Sequence, residues 1–499
     1  MAMTEPRKQS PVIPAEPPVV QPGLSFGSIT DKIASIVLTR HTPLPWWLIF
    51  GASFILVGLL TAAVVYLLFV GVGIWGIDIP VAWGFAIVNF VWWIGIGHAG
   101  TLISAILLLM NQKWRTSINR FAEAMTLFAV ACAGMFPLLH LGRPWVFFWM
   151  IPYLNTMRVW PQFRSPLVWD IFAVTTYLTS SIIFWYVGLL PDLGTMRDKA
   201  KSPLVKRIFG VFSLGWCGAA RQWRRYEIAY LLLAGLCTPL VVSVHTVVSF
   251  DFTIAILPGW HSTFFPPYFV AGAIYSGFAM VLLIAIPLRR YYKLDQLVTL
   301  RHLDNSAKLM LVTGLVVTYS YIQEYFMAYF SADRFERYMA LNRVFGHYRV
   351  EFWLMMICNC VAPQALWWRR VRQSQIWLWL VALAINFGMW MERFVIIITS
   401  LQRDFLVSSW GNYLPTFWDI ATLLGTIGFF VAGMMAFIRA VPMISMSEMK
   451  ELIHRIPEDQ AELRRVQRFA AQHPQPPAPS PSPSPSDVTE DEAEKEGTP

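Results

Sequence analysis

Ten apolar runs, each near or above the roughly 20 residues that a helix needs to cross hydrocarbon, leave this chain few folds to choose from. They cover residues 46–70, 81–110, 121–139, 167–190, 226–250, 268–288, 307–330, 350–368, 376–400 and 413–438. In lipid, each backbone N–H and C=O must be paired inside the protein, so runs of this length read as helices. The expected fold is an all-α polytopic membrane protein with about ten transmembrane helices. Composition agrees: 56% of the 499 residues are hydrophobic and 14% are charged, which excludes a soluble enzyme.

The net charge of +9 does not point to nucleic acid, because the basic residues sit in the connections. After the second, fourth, sixth and eighth runs come Lys113, Arg115 and Arg120; Arg197 to Arg225; Arg289, Arg290 and Lys293; and Arg369, Arg370 and Arg372. The opposite connections carry fewer, among them Arg143, Arg158, Arg334 and Arg403, partly balanced by acids. The positive-inside rule then puts both termini in the cytoplasm. Residues 1–45 read as a polar tail with no signal peptide, and 46–80 as a peripheral helix and loop. Residues 81–250 and 251–400 read as two four-helix bundles of parallel topology, 401–440 as a second peripheral helix, and 441–499 as a disordered Pro/Ser-rich acidic tail. The repeat rests on Gly97-His98-Ala99-Gly100 against Ile274-Tyr275-Ser276-Gly277, and Val168-Trp169-Asp170 against Arg349-Val350-Glu351.

Ionisable groups in a span are costly, so each is a functional candidate. His140 closes the third run and Asp170 opens the fourth, so a proton acceptor and a carboxylate can face each other across neighbouring helix ends, with Arg143 placed to hold that acid or another carboxylate ionised. Simple capping of those helix ends is the plain alternative. His98 suits a hydrogen bond to a quinone carbonyl or a helix cross-link. Glu123, His245, Asp251, Glu324, Glu351, Glu392 and Arg393 form a candidate proton route, with His245 and Asp251 about 9 Å apart along one helix, Glu324 and Glu351 as partners, and Glu392 or Glu351 neutralising Arg393. The small residues Gly95, Gly97, Gly100, Gly272 and Gly277 suit close helix packing or passage of a flat ring. Haem ligation by His98 and His245 lacks a supporting pattern. The five cysteines are scattered, and Cys358-Asn359-Cys360 is too short for a metal site, so no metal is expected.

At Leu139-His140-Leu141-Gly142-Arg143-Pro144, Ser165-Pro166-Leu167-Val168-Trp169-Asp170 and Gly97-His98-Ala99-Gly100, the chain resembles the quinone-interacting membrane subunits of the polysulfide reductase and nitrite reductase type. Over about residues 41–440 it looks most like the large quinol-oxidising membrane subunit of bacterial alternative complex III. The resemblance implies oxidation of menaquinol or another quinol near the periplasmic face, with His140 and Asp170 as catalytic residues and His98, Gly100, Arg143 and Trp169 in support. It implies no haem or iron–sulfur cluster in this chain. Those would sit in a periplasmic iron–sulfur subunit and multihaem cytochrome c subunits, next to a second homologous membrane subunit and lipids. Electrons would pass on to a cytochrome c, a high-potential iron–sulfur protein or an oxygen reductase, with proton translocation as a possible coupling. The alternatives are a quinone-reducing membrane subunit of a molybdoenzyme or multihaem reductase, and a proton or ion transporter or passive membrane anchor.

Overall fold

Proline and glycine punctuate the long apolar runs and set where helices begin and end, and the computed structural model describes the result for residues 18–39, 41–151 and 163–455. Expectations for residues 1–17, the loop 152–162 with Arg158, and the tail from 456 lie outside the described residues. The helices are α1 (Phe26–Leu38), α2 (Leu44–Val70), α3 (Phe85–Leu109), α4 (Asn119–His140), α5 (Pro166–Lys199), α6 (Pro203–Phe212), α7 (Ala220–Thr253), α8 (Phe265–Tyr291), α9 (Leu300–Phe330), α10 (Arg334–Phe345), α11 (Arg349–Met356), α12 (Arg369–Gln373), α13 (Gln375–Gln402) and α14 (Phe417–Ala440). No strand occurs among the described residues.

Nine segments among the described residues are long and apolar enough to cross a membrane, so the chain is a multi-pass membrane protein. They are α2, α3, α4, α5, α7, α8, α13, α14 and the stretch Arg349–Trp367, in which α11 runs into a π turn at Ile357–Val361 and a 3-10 turn at Ala362–Trp367. The expected seventh crossing, α9, has the length at 31 residues. It is too polar to join the nine, because Gln323, Glu324 and the tyrosines 319, 321, 325 and 329 fill its second half. Four short helices were not expected: α1 within the N-terminal tail, and α6, α10 and α12 within connections. In α1 the Ser25 hydroxyl caps the helix, and Ile29, Ile33 and Ile36 bury one face.

The centre of the fold is α3, which packs on α4, α7, α8 and α13 and is buried along almost its whole length. Around it lie α4, α5 and α7 on one side and α8, α9, α11 and α13 on the other, while α2 pairs with α14. The two groups meet at a seam between α3 and α8, where Gly277 lies directly against Ala99. A methyl group at 277 would fall on the Ala99 side chain. Gly277→Ala is therefore expected to cost about 1–3 kcal/mol by overpacking, read as a lower unfolding midpoint of the detergent-solubilised protein. Adding Ala99→Gly in the same chain should restore the midpoint; no recovery would place the strain elsewhere.

Candidate functional site

Two acids of the first bundle meet where α5 begins and α7 ends. Pro166 sits at the first helical position of α5 after an extended Ser165, which places Asp170 within the opening turns. Asp251 lies two residues before the end of α7, and α5 and α7 pack along each other. The two carboxyl groups are hydrogen-bonded to one another. Such a bond requires a proton on one of them, since carboxylates can only accept. Asp170 is 7% exposed, and one oxygen of each acid, Oδ1, has no hydrogen-bond partner. No cation among the described residues is bonded to either.

His140 is the last residue of α4, and the connection 141–165 brings the chain from it to the start of α5, so it belongs to the same end of the bundle. It is half-buried with an unpartnered Nδ1. Among the described residues it makes no hydrogen bond to Asp170. The chain leaves α4 through Gly142, whose φ of +66° favours glycine. Trp169 donates from Nε1 to the Phe163 carbonyl at 2.6 Å and sets its ring edge-on to Phe250. Arg143 was expected to hold Asp170 or another carboxylate ionised; it is exposed, and Asp170 is bonded to Asp251.

Deeper in the bundle, His98 and His245 are both buried and approach Nδ1 to Nδ1 at 2.7 Å. One ring donates and the other accepts, which leaves both Nε2 atoms without partners. A metal needs about 2.0–2.1 Å to each imidazole nitrogen, so 2.7 Å leaves no room for one between these two atoms. The Tyr177 ring packs against His98 at 4.6 Å, and its hydroxyl donates to the Gly97 carbonyl at 2.9 Å. Gly100 is a packing position: an added methyl would strike the Ala122 backbone of α4. Towards the opposite end, Glu123 accepts from Ser104 and from Tyr230 at 3.1 Å. Arg120 lies 3.3 Å from Asp192 and 4.0 Å from Glu123. Asp192 also accepts the backbone N–H groups of Met446 and Ser447, and Glu448 pairs with Arg115 at 3.1 Å.

The second bundle holds its own polar column. Glu392 accepts from the Tyr321 hydroxyl, and Asn359, in the π turn, donates to Tyr321 at 2.8 Å. Arg393 lies 2.6 Å from Glu392 and stacks on the Phe269 ring at 4.2 Å. Glu324 pairs with Arg343 of α10, which corrects the expected Glu324–Glu351 partnership; Glu351 is half-buried in the first turn of α11. Arg343 also donates to Thr399, Ser400 and the Gly259 carbonyl, while the Gly259 N–H donates to Glu336. Burial pushes the Glu336 carboxyl above its usual range, against the pull of that N–H. Two cavities of about 10 Å³, each room for about one water, adjoin this column. One lies between Tyr268, Arg343 and Glu392, the other between Gly259, Glu336 and Arg343. Among the described residues no three His, Cys, Asp or Glu side chains are grouped to hold a metal ion.

Residues 77–403 match the family model described as polysulphide reductase, NrfD. The chain belongs to the NrfD family. A selenate reductase subunit of Mesobacillus selenatarsenatis is 22% identical over 387 residues, covering 73% of this chain and 86% of that one. A protein provisionally named as a dimethyl sulfoxide reductase membrane subunit, from Halobacterium salinarum, is 25% identical over 238 residues, 45% of this chain and 50% of its own. The match thus spans half the length of that relative. These findings overturn the narrower assignment to alternative complex III, and menaquinol as its particular substrate. The similarity lies with proteins named for polysulphide, dimethyl sulfoxide and selenate reductases.

Sequence reasoning picked out Asp170, Asp251, His98 and His245, weighing the two histidines together only as haem ligands, but not the direct contacts within either pair. A helix that is apolar all round carries no periodic signal of which side chains face which neighbour. Arg120, Asp192, Arg343 and Glu448 were missed as site residues. Arg120 and Asp192 carried a signal, being charged residues at the ends of apolar runs, whereas Arg343 and Glu448 lie out in the connecting segments and carried none.

Proposed function

We propose that this chain is the quinone-interacting membrane subunit of a reductase complex, active only with a catalytic partner of the molybdoenzyme kind. The supporting observation is the buried hydrogen bond between Asp170 and Asp251, with no cation bonded to it among the described residues, at the same bundle end as the unpartnered His140 nitrogen. A quinol and its quinone differ by two protons and two electrons. The carboxyl pair, with one proton already on it, accepts one more, and His140 accepts the other. The electrons cross to redox centres held by the partner, an iron–sulfur subunit in the first instance. The potentials of quinone and partner set the direction. With α9 crossing as a tenth helix, the basic connections support both termini in the cytoplasm and this bundle end on the periplasmic side. Copurification tests the wider assembly, including multihaem cytochromes c and a second membrane subunit.

Photolabelling by an azidoquinone in native membranes tests the site. Labelled peptides from the end of α4, the start of α5 and the end of α7 are expected, competed by excess quinone and lost in Asp170→Asn. Labelling confined to other helices would reject the assignment.

The intramembrane acids and histidines form the proton route of the same proposal. In the first bundle it runs through Glu123 and the His98–His245 pair, in the second through Glu324, Glu392 and Arg393, helped by the two water-sized cavities. Glu392→Gln should reduce the pH change across vesicles during turnover more than it reduces turnover itself; equal losses would exclude a transport role.

A further inference from the structure

A third feature has no part in that chemistry. Where α2 begins and α8 and α14 end, the three helices line a half-open apolar cavity of about 670 Å³. That lies within the roughly 300–1,000 Å³ range of small-molecule sites. Its walls are side chains such as Ile49, Leu283, Ile284, Val431 and Met434. Neither an acid nor an imidazole lines it.

The rim is different. Trp46, Tyr291 and Tyr292 stand there, as rings do at headgroup level. The Tyr292 hydroxyl is shielded and has no hydrogen-bond partner. Arg290 is exposed and forms no ion pair among the described residues, whereas its neighbour Arg289 is engaged by Asp295 at 2.8 Å and by the Val298 carbonyl. Arg439, close enough to Tyr292 to act on it electrostatically, is held by the Ile36 and Thr39 carbonyls and by Thr42, with no carboxylate among the described residues to neutralise it. One guanidinium group without a counter-ion and a free phenol thus stand at an apolar slot, with Arg439 near the phenol, on the face that carries the basic connections.

We propose that this cavity binds one anionic phospholipid, with an acyl chain in the slot and the headgroup phosphate between Arg290 and the Tyr292 hydroxyl. The charge decides the ligand class. A phosphate complements unpaired guanidinium, and the cytoplasmic leaflet that the basic connections mark is the anionic one. A quinone brings only neutral carbonyls, which can accept a hydrogen bond from an arginine but leave its charge without a counter-ion. The proposal does not depend on the quinone reading.

The test is native mass spectrometry of the full chain, purified with its partner subunits and exchanged into nanodiscs of phosphatidylcholine doped with phosphatidylglycerol. One tightly held phosphatidylglycerol per chain is expected. Ile284→Trp, which fills the slot, should abolish its retention, and Arg290→Gln should reduce it about fivefold while leaving phosphatidylcholine retention unchanged. Should Ile284→Trp not fold, the exposed Arg290→Gln still decides. Unchanged phosphatidylglycerol retention in Arg290→Gln would overturn the proposal, as would a quinone or a protein segment found in the slot in place of lipid.

Discussion

Asp251→Asn is expected to lower quinone-linked electron transfer by the assembled complex about 10²- to 10⁴-fold, with all subunits still bound. Asparagine keeps the shape of the side chain and can still donate to Asp170, so the seam between α5 and α7 should hold. What it removes is half of a group that takes and gives protons. Asp170→Asn should do the same, and the double variant should be little worse than either, because the two acids act as a unit. His140→Ala should add its own loss. Electron transfer from an artificial donor directly to the partner should remain normal in every variant, which separates the quinone step from damage to the complex. Wild-type quinone turnover in Asp251→Asn and Asp170→Asn would remove the carboxyl pair from the chemistry.

The largest stability effect is expected at Arg120. This side chain is fully buried and lies between two acids, Asp192 and Glu123, while also donating to the Gly188 carbonyl at 2.7 Å. Arg120→Met leaves two carboxyl groups in the interior without their cation. Loss of one partner from such a cluster typically costs about 3–5 kcal/mol, most of it the penalty on the charge left behind. The expected readout is a steep fall in folded protein recovered from membranes. Adding Asp192→Asn and Glu123→Gln removes the stranded charges and should restore much of the yield. A triple variant no better than Arg120→Met would assign the loss to packing.

These two cases also mark how far the sequence could be read. Membrane crossings were legible because a 20-residue apolar run has few other fates. The exceptions follow from local chemistry: α9 is diluted by tyrosines, and α1, α6, α10 and α12 are too short to stand out between long spans. Individual polar residues were legible for the same reason, since each stands alone against hydrocarbon. Their partners were not. Asp170 and Asp251 are 81 positions apart, and His98 and His245 are 147 apart. Whether such groups meet depends on how each helix is turned about its axis, and small side chains at the seams, such as Gly277 on Ala99, govern that rotation. Expected neighbours were therefore drawn from nearby positions, as with Asp251 and His245 on one helix.

The short segment after α14 has a practical bearing on handling the protein. Met446, Ser447 and Glu448 do not trail away from the last crossing but latch onto Asp192, Arg115 and Asn119 at the foot of α4 and α5. Shortening the chain to position 441 would leave the Asp192 carboxylate stripped of two donors and uncover the cluster around Arg120. An affinity tag or fluorescent fusion therefore belongs beyond residue 450, where the latch is left closed.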